Sequence, residues 1–255
     1  GQGADELLAG YDYFFGFYFK EILLKFNILK FLNEATHYIA KHHSMYSIGA
    51  AGFLLLPSKL QTEYKLKNNM ALADDFARLY GSNKRITETL YSSKTLHNSL
   101  LDHFEYKLEH LLLWGDRNSM WFSVEVRFPF LDYRLVEKCL ALANDQIIKR
   151  GITKQILRES MKGVLPEKIR MRKDKVGFET PENEWFREEK FRDLIYNILD
   201  QKKFAYRGYI DSMQAKRMYC KHLDRKVNIS KMIWKWVNLE LWFNKFIDHA
   251  EHMEI

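Results

Sequence analysis

The first six residues combine glycines with carboxylates in a pattern that can bind a magnesium polyphosphate. They are Gly1, Gln2, Gly3, Ala4, Asp5 and Glu6. The glycines lack a Cβ atom, so backbone N–H groups can close around phosphate oxygens, while Asp5 and Glu6 offer the hard oxygen ligands that Mg²⁺ prefers. The same residues also suit a plain surface turn that caps a helix beginning near Asp5. Taken alone, the turn leaves both interpretations open.

Four further motifs follow this opening turn along the chain. They read Asp-Arg-Asn-Ser-Met at 116–120, Glu-Val-Arg-Phe-Pro-Phe-Leu-Asp at 125–132, Thr-Lys-Gln-Ile-Leu-Arg at 153–158 and Lys-Asp-Lys-Val-Gly-Phe at 173–178. In this order the motifs resemble the synthetase domain of glutamine-hydrolysing asparagine synthetases, from Gly1 to about Phe246. Each motif by itself is modest evidence, whereas their common order and the length covered argue against chance.

The resemblance implies an ATP-dependent ligase. In that family the side chain of aspartate attacks the α-phosphate of ATP, giving β-aspartyl-AMP and Mg-pyrophosphate. Ammonia from glutamine then displaces AMP to form asparagine. Both steps build negative charge that a cation must meet. The implied cofactors are therefore ATP and Mg²⁺, and the implied substrates are aspartate and glutamine-derived ammonia.

The resemblance also assigns roles to the opening residues. It places Asp5 on Mg-pyrophosphate, with Glu6 either as a further metal ligand or as a favourable anion in the first turn of a helix. Gly1, Gln2 and Gly3 would contact the nucleotide. Gln2 stands where some relatives have a glutamate that takes up a proton. Because an amide cannot accept a proton at neutral pH, Gln2 is expected to act in catalysis only by orienting the intermediate through hydrogen bonds.

A lysine far along the chain completes the implied site. Lys175 matches the lysine that stabilises charge on the phosphates and at the tetrahedral centre, although a solvated surface lysine would give the same sequence. We therefore expect Asp5 and Lys175 to face one cleft. Glu125 and Arg127 suit a buried ion bridge in the wall of the site, with a structural or a functional role. Three motif residues are interpreted as architectural: Asp132, Lys154 and Arg158.

Composition narrows the setting of the protein. The 255 residues carry a formal net charge of +7, which suits anionic ligands or nucleic acid, but no Arg-rich block or RNA-binding motif occurs, so no nucleic-acid partner is expected. The two cysteines show no Cys-x-x-Cys spacing, which indicates a reducing, cytoplasmic location. Lysines interrupt the apolar stretch after residues 11–19 too early for a membrane span, so no membrane partner is expected.

Hydrophobic periodicity predicts a mostly α chain, because period-two alternation is scarce. One helix should bury Phe26 and Leu29 on its inner face, and another should span residues 96–114. Within residues 58–93 we expect a single short helix, near 70–80, with loops on either side. Further helices are expected along the remaining C-terminal part of the chain. The last should span residues 229–246, with a bulky face that closes the core, formed by Ile233, Trp236, Val237, Leu241 and Trp242.

The resemblance places residues 1–255 in the C-terminal portion of an α/β ATP-pyrophosphatase domain, of the adenine nucleotide α-hydrolase type. The Ser-Gly-Gly-x-Asp-Ser loop that cradles pyrophosphate and the N-terminal glutaminase domain are not found in these residues, so we expect them to be missing segments and the chain alone to be inactive. A homodimer stays open. The alternatives are a related adenylating enzyme acting on another carboxylate, such as a β-lactam synthetase, a lasso-peptide cyclase or a polysaccharide amidotransferase, and a basic helical binding module.

Overall fold

The computed structural model describes residues 2–68, 71–81, 90–173 and 180–248, except for the side chains of 65–68. The chain divides into two compact units. The first comprises Gly1–Gln61 and Lys84–Val176, and the second comprises Thr62–Asn83 and Gly177–Ile255.

Helices make up most of both units. Those of the first unit are Ala4–Leu7, Tyr13–Leu24, Ile28–His42, Tyr46–Leu55, Leu96–Tyr106, Leu108–Met120, the 3₁₀ turn Pro129–Leu131, Tyr133–Leu140, Asn144–Ile147, Gln155–Ser160 and Glu167–Arg170. Those of the second unit are Asp74–Tyr80, Glu182–Trp185, Glu189–Asp200, Lys202–Tyr206, Ser212–Leu223 and Ser230–Phe246, while Ser58–Asn68 crosses the division.

The described residues contain no β-strand. Their only β-type pairings are two isolated antiparallel bridges, Leu72 with Ile210 and Lys149 with Ile152. The prediction of a mostly α chain is therefore confirmed, while the α/β class of a wider domain stays a prediction. Within the same described ranges, every helix is too short or too polar to cross a lipid bilayer.

The core of the first unit is built around the helix Tyr13–Leu24. Its residues 14–22 are buried in succession, so that the helix is enclosed around its whole circumference. The helix Tyr46–Leu55 packs closely on it at Gly16, where the absence of a side chain leaves room for Ala50. A Cβ atom at Gly16 would lie only 3.1 Å from the Cβ of Ala50. The aromatic run at 11–19 thus supplies the interior of a helical unit, consistent with the sequence-based argument against a membrane span.

A buried carboxylate ties this central helix to two others. Glu21 accepts hydrogen bonds from the backbone N of Leu96 at 2.8 Å, from Asn144 Nδ2 at 3.0 Å and from Lys25 Nζ at 2.5 Å. Burial by itself would raise the pKa of Glu21, but these three donors outweigh it and hold that pKa below its ordinary value. Glu21 is therefore a charged crosslink inside the first unit.

The expected burial of Phe26 and Leu29 is wrong. The central helix ends at Leu24, Phe26 takes a left-handed φ of 55°, and the two side chains are 87% and 83% exposed. Asn27 then starts the helix Ile28–His42 by accepting the backbone N–H of Lys30 at 3.1 Å. One apparent periodicity is thus divided between two helices, and the residues at the junction face solvent.

The expected single helix at 96–114 is also two helices, Leu96–Tyr106 and Leu108–Met120. Lys107 separates them, and its Nζ donates to Tyr13 Oη at 2.9 Å, which ties the break to the central helix. The second of these helices continues to Met120, beyond the predicted end at residue 114. Residues 58–93 differ as well, since the structure has a helix before residue 70 in addition to the expected one at Asp74–Tyr80.

The second unit has its own core. Its larger buried residues are Phe186, Ile195, Ile198, Leu199, Phe204, Tyr219, Ile233 and Trp236. Tyr219 Oη donates to the carbonyl of Phe186 at 2.7 Å. Arg207 Nε bonds Glu240 Oε2 at 2.7 Å, and Glu240 is only 1% exposed. The predicted C-terminal helix is present as Ser230–Phe246 and contributes Ile233 and Trp236 to this core.

Candidate functional site

Gly3 packs the opening turn against the motif at 125–132. Gly3 is buried and has a φ of 99°, in the left-handed region that glycine adopts readily. A Cβ atom there would also lie 3.0 Å from Leu131 Cγ and 3.6 Å from Phe130 Cβ. The glycine therefore allows the turn to lie directly on the Phe-Pro-Phe-Leu-Asp segment. Its placement is explained by packing, and the expected contact with a nucleotide stays a prediction.

Asp5 lies in a very short helix whose chain reverses at once. The helix Ala4–Leu7 is followed by Ala9 with a φ of 55°, and the backbone N of Gly10 donates to the carbonyl of Asp5 at 2.8 Å. The carbonyl of Asp5 is thus bound by the residue at which the turn ends. Its side chain stays partly accessible, with 26% of its surface exposed.

The carboxylate of Asp5 forms an ion pair with Lys154. Oδ1 of Asp5 meets Nζ of Lys154, and the lysine side chain is 28% exposed. Lys154 itself has a left-handed φ of 56°, and its backbone N donates to the carbonyl of Leu8 at 3.1 Å, just before the helix Gln155–Ser160. The ammonium group of Lys154 thus lies at the acidic turn, and this ion pair is compatible with the architectural interpretation.

A basic cavity of about 230 Å³ adjoins this ion pair. Four of its lining residues carry positive charge: Lys154, Arg158, Arg170 and Arg172. Its remaining walls are apolar and come mainly from the segment between Leu157 and Ile169. Two of these cations already have carboxylate partners, since Lys154 pairs with Asp5 and Arg170 with Glu167 at 2.6 and 2.8 Å. The cavity still carries a net positive charge beside apolar walls, which favours an anionic ligand.

Glu6, by contrast, points into the protein. Glu6 is 1% exposed, and its Oε1 accepts a hydrogen bond from Tyr11 Oη at 2.7 Å. Burial, the hydrogen bond and the charge of Glu6 together raise the pKa of Tyr11, so the phenol stays a neutral donor. The structure thus gives Glu6 a buried partner, and its role as a metal ligand stays a prediction.

Aromatic rings and a cation surround the Glu6–Tyr11 pair. Tyr11 stacks on Tyr13 with ring centroids 5.2 Å apart, and Lys107 Nζ lies 4.6 Å from both centroids. His103 stacks on the ring of Tyr13, with centroids 5.0 Å apart. Burial lowers the pKa of His103 to about 4. This histidine is therefore neutral near pH 7 and adds no charge to the turn.

Arg158 acts on the backbone, as the architectural interpretation predicts. Its Nε donates to the carbonyl of Thr153 at 2.8 Å and its Nη2 to the carbonyl of Arg172 at 2.9 Å, while Nη1 reaches the carbonyl of Arg170. Burial and the nearby Arg170 lower the pKa of Arg158. Arg158 thereby secures the chain immediately before the motif at 173–178.

The remaining predicted site residues are only partly described. Gln2 is exposed at the beginning of the opening turn. Gly1 and Lys175 lie outside the described residues. The expectation that Asp5 and Lys175 share a cleft therefore stays a prediction.

For the motif at 125–132, one sequence-based prediction is wrong and another is confirmed. Glu125 and Arg127 do pair at 3.3 Å, but their side chains are 64% and 85% exposed, so they are not a buried bridge. Asp132 accepts the backbone N–H of Arg134 at 3.0 Å at the start of the helix Tyr133–Leu140, which confirms its architectural role. The Arg134 guanidinium lowers the pKa of Asp132 to about 2.

The part of the chain that the structure describes has no cluster of three or more His, Cys, Asp or Glu side chains able to hold a metal ion. Asp5 is a partly accessible carboxylate that pairs with Lys154 of the cavity wall, and Glu167 pairs in the same way with Arg170 of that wall. Mg²⁺ is commonly bound by one or two carboxylates together with phosphate oxygens and water. The residues present therefore fit a magnesium ion that arrives with phosphate and do not fit a metal site built from protein side chains alone.

Sequence reasoning missed two contacts at Asp5. One is the ion pair with Lys154, and the other is the close approach of Gly10, where a Cβ atom would lie 2.5 Å from Lys154 Cε. The lysine was present in the Thr-Lys-Gln-Ile-Leu-Arg motif, but only the folded chain shows which carboxylate it meets. Gly10 gave no signal beyond that of an ordinary turn glycine.

Comparisons with known proteins agree with these motifs. A family model described as asparagine synthase matches residues 1–244. Asparagine synthetase [glutamine-hydrolyzing] 1 of Bacillus subtilis is 25% identical over 258 residues, which cover 95% of this chain and 39% of that relative. A putative asparagine synthetase [glutamine-hydrolyzing] of Mycobacterium tuberculosis is 25% identical over 59% of this chain and 22% of its own length.

The chain thus spans about two fifths or less of the curated relatives it matches. No solved structure matches it significantly. Because the family model covers nearly all of the sequence, the chain belongs to the asparagine synthase family.

Proposed function

We propose that this chain takes part in the ATP-dependent amidation of aspartate to asparagine, through a β-aspartyl-AMP intermediate and with ammonia derived from glutamine. The observation that carries the proposal is the Asp5–Lys154 ion pair at the basic cavity. It joins the acidic turn of the family to a cationic surface that suits phosphate. The names of the relatives, all glutamine-hydrolysing asparagine synthetases, support aspartate as the carboxylate.

Charge complementarity explains how these residues would serve the reaction. Bound ATP and Mg²⁺ would supply the α-phosphate that is attacked and the neutralisation of the departing pyrophosphate. Asp5 would hold the metal–phosphate complex, while Lys154 and the neighbouring arginines would attract the phosphate oxygens. In the described structure Asp5 and Lys154 neutralise each other. Ligand binding would replace this ion pair by contacts of Asp5 with the metal and of Lys154 with phosphate.

Two predicted catalytic residues complete the proposal. Gln2 is exposed at the turn and can donate and accept hydrogen bonds, which would orient the acyl-adenylate without accepting a proton. Lys175 would stabilise charge at the tetrahedral centre. It follows Arg172 closely in sequence, and the carbonyl of Arg172 is bound by Arg158 at the cavity. A cytoplasmic location and the missing glutaminase and nucleotide-loop segments are part of the same proposal.

The test uses the full-length protein expressed from the gene that encodes this chain. Asparagine and pyrophosphate are quantified with ATP, Mg²⁺, aspartate and either glutamine or ammonia. Asp5→Asn is expected to lower the rate of pyrophosphate formation by about 100-fold or more, because it removes the carboxylate charge that would hold the metal. Asp12→Asn is the matched control, since Asp12 is exposed and its side chain caps no helix.

Substrate choice is tested in the same assay by replacing aspartate with other carboxylates. Pyrophosphate formation that depends on aspartate, with asparagine as product, supports the proposal. Turnover with a different carboxylate and none with aspartate would identify a related adenylating enzyme and refute the asparagine assignment. Full activity of Asp5→Asn would refute the assigned role of the acidic turn.

A further inference from the structure

Gly10 lies against both members of the Asp5–Lys154 ion pair. A Cβ atom built at Gly10 would lie 2.7 Å from Asp5 Cγ and 2.5 Å from Lys154 Cε, and it would overlap Asp5 Oδ1. Real Cβ atoms essentially never approach other heavy atoms closer than 3.0 Å. The nearest atoms to this missing side chain therefore belong to the two charged side chains alone.

The backbone does not require glycine at this position. Gly10 is absent from the glycines with positive φ, which are Gly3, Gly151, Gly163 and Gly208 among the described residues. An alanine could adopt the same backbone conformation, so the demand for glycine comes from space. This separates Gly10 from Gly3, where the φ of 99° alone would strain any other residue.

The main chain on both sides of the contact is fixed. The backbone N of Gly10 donates to the carbonyl of Asp5 at 2.8 Å, and the backbone N of Lys154 donates to the carbonyl of Leu8 at 3.1 Å. A methyl group at position 10 would thus be accommodated mainly by the two side chains. Asp5 Cγ would have to move by about 0.7 Å, from 2.7 Å to the 3.4 Å at which ordinary contact begins.

We propose that Gly10 is a positioning residue that, by lacking a side chain, makes the space in which the Asp5 carboxylate and the Lys154 ammonium group meet. The inference rests on the function proposed above, because it gives Asp5 the task of holding the metal–phosphate complex. Displacements of about 1 Å at a reacting centre can cost about 100-fold in rate. Gly10 therefore acts on the chemistry through Asp5 and touches no substrate.

The first experiment measures stability and does not need activity. Thermal unfolding of the 255-residue chain is recorded for Gly10→Ala, Asp5→Ala and the double variant. Gly10→Ala is expected to lower Tm by about 2 to 10 °C through overpacking. In the Asp5→Ala background the carboxylate is gone and Lys154 can move into its space, so the decrease caused by Gly10→Ala should fall to less than half.

A matched control uses Gly49→Ala in the helix Tyr46–Leu55. Gly49 is exposed, and a Cβ atom there meets nothing within 4 Å, so Tm should stay the same or rise slightly. If Gly10→Ala does not fold, the double variant with Asp5→Ala should fold. An equal decrease of Tm in both backgrounds, or a double variant that also fails to fold, overturns the inference.

The second experiment asks whether the contact serves the reaction. In the encoded polypeptide Gly10→Ala is expected to lower kcat by about 10-fold to 100-fold while KM for aspartate changes little, and to have no further effect once Asp5 is replaced. An unchanged kcat despite coupled Tm values overturns the positioning role. Absence of turnover in the parent protein instead refutes the proposed function, and the Tm cycle reports on the contact in either case.

Discussion

Tyr11→Phe is expected to destabilise the first unit, because it removes a hydrogen-bond donor from the buried carboxylate of Glu6. Glu6 is 1% exposed, and its bond from Tyr11 Oη is 2.7 Å long, a short and charge-assisted hydrogen bond. The phenylalanine keeps the ring that stacks on Tyr13, so the change removes the donor and little packing. Leaving a buried charge without this donor should lower the free energy of unfolding by about 2 to 4 kcal/mol, and Tm by about 4 to 16 °C.

Glu6→Gln distinguishes the buried role of Glu6 from its predicted role as a metal ligand. Glutamine retains an oxygen that can accept the bond from Tyr11, so the loss of stability should stay below about 1.5 kcal/mol. If Glu6 serves packing, the rate of pyrophosphate formation should remain within about threefold of the parent, because the partly accessible Asp5 is unchanged.

Urea unfolding followed by circular dichroism measures stability, and pyrophosphate release measures activity. Tyr206→Phe is the matched control, because Tyr206 is 93% exposed and its hydroxyl should contribute less than about 0.5 kcal/mol. The reasoning is refuted if Tyr11→Phe is as stable as this control. It is also refuted if Glu6→Gln keeps its stability but loses activity by about 100-fold, since Glu6 would then act on the ligand.

Three further perturbations test the two cores and the thiols. Glu21→Ala should cost about 2 to 6 kcal/mol in urea unfolding, since buried donors lose their acceptor. The pKa of Glu21 is lowered in the fold, so its contribution is present above about pH 4.3 and shrinks as pH falls further; a cost below about 1 kcal/mol at pH 7 contradicts this. Arg207→Ala should cost about 3 to 5 kcal/mol by leaving Glu240 unpaired, visible as faster amide exchange in the second unit, and unchanged exchange contradicts it. Exposed Cys220 should react quickly with a thiol reagent and buried Cys139 slowly, because burial raises the pKa of Cys139; equal rates contradict this.

The sequence predicted the helical character of the chain better than it predicted where helices end. The C-terminal helix was expected from the spacing of Ile233, Trp236, Val237, Leu241 and Trp242. The structure buries the first three, whereas Leu241 and Trp242 are 47% and 49% exposed. The break before Phe26 was missed because a non-glycine residue with positive φ leaves no compositional signal. The Asn cap that follows was a readable signal, but a continuous apolar period outweighed it.

At the candidate site the sequence indicated the right motifs but could not pair their side chains. Asp5 was singled out by its residue type and by the resemblance. Lys154 was interpreted as architectural, and its partner could not be identified because it lies far away in sequence. Exposure was also beyond sequence reasoning. Glu125 and Arg127 could be predicted to pair, but only the fold shows that their pair faces solvent.

The motifs of the sequence converge through contacts that each need a particular residue type. Gly3 lets the opening turn lie on Leu131 of the Phe-Pro-Phe-Leu-Asp segment. Asp5 reaches Lys154 of the next motif, and Arg158 of that motif binds the backbone up to Arg172, where the last motif begins. The opening turn is therefore assembled by segments that fold around it within one unit. A substitution in any of these contacts should therefore disturb Asp5 even where it touches no ligand.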